Sequence, residues 1–155
     1  MRHNRLLQKA VAALCARFEH GGYNSTPAID LGVLVANADG VVDENEKAAL
    51  GEIFEALFGA RFDVELVGFL INASREVIEA AGVESRVRLV AEVLKDCEAV
   101  EQGIAVALGV AYASDGLSDA ERGVITRIAK AASLPDERLE RLIEKVRVSF
   151  EGEPA

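Results

Sequence analysis

The carboxylates of this chain gather in two short runs. The first is Ala38-Asp39-Gly40-Val41-Val42-Asp43-Glu44-Asn45-Glu46-Lys47, and the second is Ser114-Asp115-Gly116-Leu117-Ser118-Asp119-Ala120-Glu121-Arg122. Each holds an Asp-Gly pair, then an Asp or Ser, then a Glu three residues later. Asp43 with Glu46, and Ser118 with Glu121, have the spacing of a capping box, in which two side chains satisfy each other's backbone N–H at a helix start. Gly40 and Gly116 suit the left-handed turn that ends a preceding helix. Caps and a glycine stop explain these residue types by themselves, and acids in a first turn also complement the helix dipole. The competing chemistry is cation binding. Asp39, Asp43 and Glu46 from one run, with Asp115, Asp119 and Glu121 from the other, offer the carboxylate oxygens that hard divalent cations such as Ca²⁺ or Mg²⁺ take. Here glycine directly follows the first Asp, whereas an EF-hand places it at the sixth position. A metal site in this chain would therefore be of another kind, drawing ligands from both corners.

The elements around these runs read as helices. Leu7, Val11, Leu14 and Phe18 fall at helical spacing, as do Leu50, Ile53, Phe54 and Leu57. Further stripes run through Leu66, Leu70 and Val77, through Val87, Val90 and Leu94, through Val124, Ile125 and Ile128, and through Leu139, Ile143 and Val146. Each is one apolar face with charges opposite. No run shows sustained period-two alternation. Two segments, 28–38 and 103–113, are apolar nearly all round, which marks helices covered on several sides. Each leads into one of the acidic runs. Both contain glycine, at Gly32 and at Gly103 and Gly109, where close approach of a neighbouring helix offsets the helix-propensity cost of about 1 kcal/mol.

The expected fold is all-α: a single-domain bundle of seven to eight helices, with two buried central helices and two pseudo-repeated helix–acidic corner–helix units. Residues 1–27 are expected to form an N-terminal helix and loop, 28–150 the main helical domain, and 151–155 a frayed tail. The two corners should bring their carboxylates to a shared outer ridge. Gly21 is expected at the C′ position of the first helix. Asp96 is expected to cap the second central helix, with Cys97 at that helix start. Pro135 is expected in the first turn of the last helix.

Composition excludes much. With 155 residues, 50% hydrophobic, the chain can bury a core without staples. Seventeen basic against 26 acidic residues give a net charge of −9, which argues against a nucleic-acid backbone as partner. The uncharged stretch 102–114 is too short to span a membrane. Cys15 and Cys97 are no disulfide framework, and no signal-peptide pattern is visible, so a cytoplasmic location is expected. His3 and His20 have no zinc-type spacing around them. No phosphate-binding glycine loop, nucleophile elbow or triad is legible, so an enzyme is not expected. Phe58, Phe62 and Phe150 are candidates for a homodimer contact or for core.

At the two acidic runs the sequence resembles the tellurite-resistance protein TerB family. That family carries, in each of two related halves, a hydrophobic helix, an A-[SD]-D-G type corner, then S/D-x-x-E-[KR] and an amphipathic helix. Ala38-Asp39-Gly40 with Asp43-x-x-Glu46-Lys47 matches the first, and Ala113-Ser114-Asp115-Gly116 with Ser118-x-x-Glu121-Arg122 the second. The resemblance covers most of the chain from about Ala28 to the last helix. It implies an all-helical cytoplasmic adaptor of a tellurite-resistance or stress-response system, with protein partners at the membrane surface and a metal-chelating role for the corners.

Overall fold

A computed structural model of the chain describes residues 4–113 and 116–152. Within them are eight helices and no strand. These are α1 (Arg5–His20), α2 (Thr26–Ala36), α3 (Glu44–Phe58), α4 (Val64–Ala81), α5 (Val83–Asp96), α6 (Val100–Ala113), α7 (Asp119–Ala131) and α8 (Asp136–Glu151). The all-α expectation holds, at the upper end of the expected helix count.

The two apolar segments are the two central helices. Every residue of α2 from Ala28 to Ala36 and of α6 from Gly103 to Ala111 is buried. They pack on each other, with α4 and α5 against α2, and α1, α3, α7 and α8 against α6. The helical glycines are notches for neighbouring leucines. A Cβ on Gly32 would stand 2.6 Å from Leu50 Cδ2 of α3, one on Gly103 2.5 Å from Leu94 Cδ2 of α5, and one on Gly109 2.5 Å from Leu7 Cδ1 of α1. The first helix, with Leu7, Leu14 and Phe18 buried, thus belongs to the same core as the rest.

Local chemistry sets the ends. Asn4 caps α1, its side chain accepting from Leu7 N–H at 2.9 Å, while its Nδ2 donates to Ser149 Oγ at 3.0 Å and so ties the start of α1 to the end of α8. Asp63 caps α4 by accepting from Leu66 N–H at 2.7 Å. Three helices end in a Schellman turn, where the N–H two residues past the cap reaches back across the last turn. Tyr23 N–H donates to Phe18 O, Ala99 N–H to Leu94 O and Leu134 N–H to Ala129 O, all within 2.9 Å. The left-handed residues of these turns are Gly22, Glu98 and Ser133.

Four local expectations are corrected. The left-handed glycine after α1 is Gly22; Gly21 keeps a right-handed φ of −79°, and its missing side chain instead admits Cys97, whose Sγ would lie 2.8 Å from a Cβ there. Asp96 does not cap α6: it is the last residue of α5, and its Oδ2 accepts from the Tyr23 hydroxyl at 3.1 Å. Cys97 stands at the end of α5 rather than at a helix start. Burial, followed by the Asp96 charge, pushes its thiol pKa up, which suits inert packing. Pro135 is the cap of α8 rather than part of its first turn.

A charge from α2 enters the core. Asp30 of α2 is buried, accepts from Ser74 Oγ of α4 at 2.7 Å and pairs with the Arg86 guanidinium of α5. It joins three helices through one carboxylate.

Candidate site at the paired acidic corners

The first corner joins α2 to α3 and the second joins α6 to α7. Gly40 has φ +90° and Gly116 φ +94°, the left-handed region that only glycine enters without strain. Both expected capping boxes are present. Asp43 Oδ1 accepts from Glu46 N–H at 2.7 Å and Glu46 Oε1 from Asp43 N–H at 3.0 Å. Ser118 Oγ accepts from Glu121 N–H at 3.1 Å and Glu121 Oε1 from Ser118 N–H at 3.0 Å. The first corner is braced further by Val41 N–H donating to Asp39 Oδ1 at 3.1 Å.

The box geometry divides the acids into two groups. Asp39, Asp43 and Asp119 are exposed, as the outer ridge required. Glu46 and Glu121 depart from it: they are only 5% and 6% exposed, since neighbouring helices cover side chains that the boxes have drawn back over the first turn. The two corners lie at the same end of the molecule, since the charge of Glu121 reaches Glu46. Glu46 is pushed up to about 7, chiefly by burial; the Asp43 N–H that it accepts pulls the other way, and the charges of Asp43, Glu121 and Asp39 raise it further. The second oxygen of Glu121, Oε2, is shut off from solvent with no hydrogen-bond partner. A buried carboxylate oxygen without a donor is costly, and a cation beside it relieves that cost.

Of the six expected ligands, the structure brings Glu46 and Glu121 together as buried neighbours, with Asp39 and Asp43 beside Glu46. Asp119 stands exposed in the first turn of α7. Asp115 lies outside the described residues. Among the described residues, no group of three or more His, Cys, Asp or Glu is arranged to hold a metal ion. What the corners place within electrostatic reach of each other is a pair of buried carboxylates, Glu46 and Glu121. Asp30 was missed as a structural charge, although it is the one ionisable residue in the apolar run 28–38.

Cavities elsewhere include one of about 350 Å³ between Arg17, Glu98, Glu101 and Arg138 and a smaller one beside α2. The one lined by Asn37, Leu34 and Val124 has about 150 Å³, below the range of about 300–1,000 Å³ typical of ligand pockets. Tyr112 stacks on Phe150 with ring centroids 6.1 Å apart instead of lining a cleft.

An all-helical domain whose two halves each run from a buried helix through an acidic, doubly capped corner into an amphipathic helix is a duplicated helix–corner–helix protein. The family model described as tellurite resistance protein TerB matches residues 26–144, and the chain belongs to that family. No curated protein and no solved structure matches it. The match begins at α2, so α1 precedes the matched region although it packs into the same core.

Proposed function

We propose that the chain is a non-catalytic TerB module of a tellurite-resistance or stress-response system, working in the cytoplasm through protein contacts. The observation that carries this reading is an apolar surface on the folded chain. Phe69 is 69% exposed on α4, with Leu66, Val77 and, on α5, Leu89 also exposed. Exposed apolar side chains that share a helix mark a surface suited to contact with another protein. No helix among the described residues is long and apolar enough to cross a membrane. Deletion of the gene is expected to lower the host's tolerance of tellurite, and the intact chain to restore it. Unchanged tolerance, together with no protein co-purifying from the host with or without chelator, overturns the reading.

A second reading has its own observation, the orphaned Oε2 of Glu121 beside Glu46. Here the corners take a divalent cation, Ca²⁺ or Mg²⁺, for structure or sensing. Glu46 and Glu121 would supply the buried oxygens and Asp39, Asp43 and Asp119 the outer ones, with Asp115 the sixth acid of the set. Titration of Ca²⁺, Mg²⁺, Mn²⁺ and Zn²⁺ into metal-free protein tests it. A ligand at 100 times its Kd adds about 2.7 kcal/mol of stability, and no shift in melting temperature with any of the four at millimolar concentration ends it.

A further inference from the structure

Three arginines among the described residues are half-buried: Arg75, Arg86 and Arg147. Arg86 pairs with Asp30, and Arg147 with Glu144 and Glu151. Arg75 of α4 makes no hydrogen bond or ion pair with any described residue. A guanidinium carries five donors in a planar fork that fits two oxygens of one anion. The other two half-buried forks are spent on carboxylates, and that of Arg75 is unused.

Arg75 lines a groove of about 240 Å³ between the first corner and α4. Asn72 and Gly68 of the same helix line it too, with Gly40 and Val42 of the corner and Lys47 of α3. In a chain with 26 acidic and 17 basic residues, no acid lines this groove. Two glycines leave it open. A Cβ on Gly40 or Gly68 would meet nothing within 4 Å, so neither is a notch for a neighbouring side chain as Gly32, Gly103 and Gly109 are. Lys47 lies 3.4 Å from Glu44, whose side chain is 88% exposed, and a pair so open to water holds its lysine loosely.

We infer that this groove binds a compact oxyanion of the phosphate class, Arg75 supplying the fork, Lys47 a second charge and Asn72 an amide donor. The inference lies beyond the module reading and stands or falls apart from it.

The charges select the ligand. A phosphate group carries about −1.5 to −2 at neutral pH and three acceptor oxygens, which suits two cations and an amide. A lone carboxylate brings one charge and leaves one cation unused. Exposed acids border the groove: Asp39 precedes Gly40, with its Oδ1 held by Val41 N–H at 3.1 Å, and Glu79 stands one turn beyond Arg75. They repel an extended polyanion such as a nucleic acid or an anionic membrane, which would have to lie across them, and leave room for a single small group.

The test uses the whole chain, isotope-labelled for heteronuclear NMR, in buffer free of phosphate and metal. Inorganic phosphate is titrated against sodium chloride of equal ionic strength. Phosphate is expected to move the Arg75 Nε–H resonance and the amides of Gly40 and Gly68 together and saturably, with a Kd of about 1 mM or tighter. Arg61, Arg88 and Arg141, all exposed, are internal controls and should stay in place. Arg75→Gln should remove the response of the Gly40 and Gly68 amides and leave the melting temperature in phosphate-free buffer unchanged, because Arg75 has no partner to lose. Asn72→Asp sets a carboxylate one turn before Arg75, where it competes for the fork, and should weaken binding at least about tenfold. This variant decides the question even if Arg75→Gln fails to fold. Glycerol phosphate, compared with the inorganic ion, separates two sources of the same chemistry: either order of affinity supports the proposal, and the tighter ligand identifies the form bound. No saturation up to about 10 mM overturns it. So does a response shared with the control arginines or matched by chloride, acetate bound as tightly as phosphate, or an unchanged Kd in Asn72→Asp.

Discussion

Glu46 and Glu121 hold the same place in two helices, third residue of a capping box, and are buried close enough that the charge of one raises the pKa of the other. The charge of Glu121 adds to burial and to the Asp43 charge in raising Glu46, so its removal would ease the ionisation of Glu46.

The first consequence is a pH dependence. Glu46 is pushed from an ordinary value near 4.5 up to about 7 in the folded chain. Between those values the folded state holds the proton more tightly than the unfolded one, so stability falls as pH rises. The full benefit of protonation is present below about 4.5 and is lost once pH passes about 7. Denaturant melts across this window should show the decline in the wild type relative to Glu46→Gln, whose amide oxygen still accepts from Asp43 N–H. Glu121→Gln removes one of the charges raising Glu46 and should move the decline to lower pH. Parallel curves for wild type and Glu46→Gln would remove Glu46 as the cause.

If a divalent cation binds, its effect should grow over the same interval, because carboxylates bind metal when deprotonated. The rise in melting temperature produced by Ca²⁺ or Mg²⁺ is expected to be larger at pH 8 than at pH 6, and absent from Glu46→Gln/Glu121→Gln. An equal shift in that double variant would place the cation elsewhere.

Two glycines should respond oppositely to alanine. A Cβ on Gly109 would stand 2.5 Å and 2.9 Å from the two methyls of Leu7, so Gly109→Ala must displace that side chain. Overpacking costs about 1–3 kcal/mol, more than the helix propensity it recovers. Gly123, exposed on α7, has nothing within 4 Å of such a Cβ and no left-handed φ. Gly123→Ala should stabilise by about 0.5–1 kcal/mol. Denaturant midpoints measure both.

Asp30 and Arg86 form a pair whose side chains are 11% and 18% exposed. Asp30→Ala leaves the guanidinium half-buried beside Ser74 with no carboxylate, a change expected to cost about 3 kcal/mol. Replacing both, with Asp30→Leu and Arg86→Met, should recover most of it. A double variant as unstable as the single one would mean that packing around the pair, rather than the unpaired charge, dominates.

What could be read from the sequence was what repeats or alternates. The two all-round apolar runs had one interpretation, since a helix with no polar face must be covered. Both capping boxes were legible because their partners are three residues apart and need nothing beyond the local chain. The glycine notches were legible as a class, but Leu50, Leu94 and Leu7 were not, since those contacts join residues far apart in sequence. Asp96 and Cys97 were misplaced by a few residues, because Glu98 takes a left-handed φ of 52° that its side chain gave no reason to expect. The inward turn of Glu46 and Glu121 was missed for a related reason: a box fixes the hydrogen bonds of its glutamate, and the neighbouring helices decide whether that glutamate sees water.

The tie between Asn4 and Ser149 holds the start of α1 against the last turn of α8, near both ends of the described chain. Ends so close invite a circular permutant that joins them through a short linker and opens the chain in the exposed 59–61 turn. Such a rearrangement would leave every pairing of α2 with α6 intact.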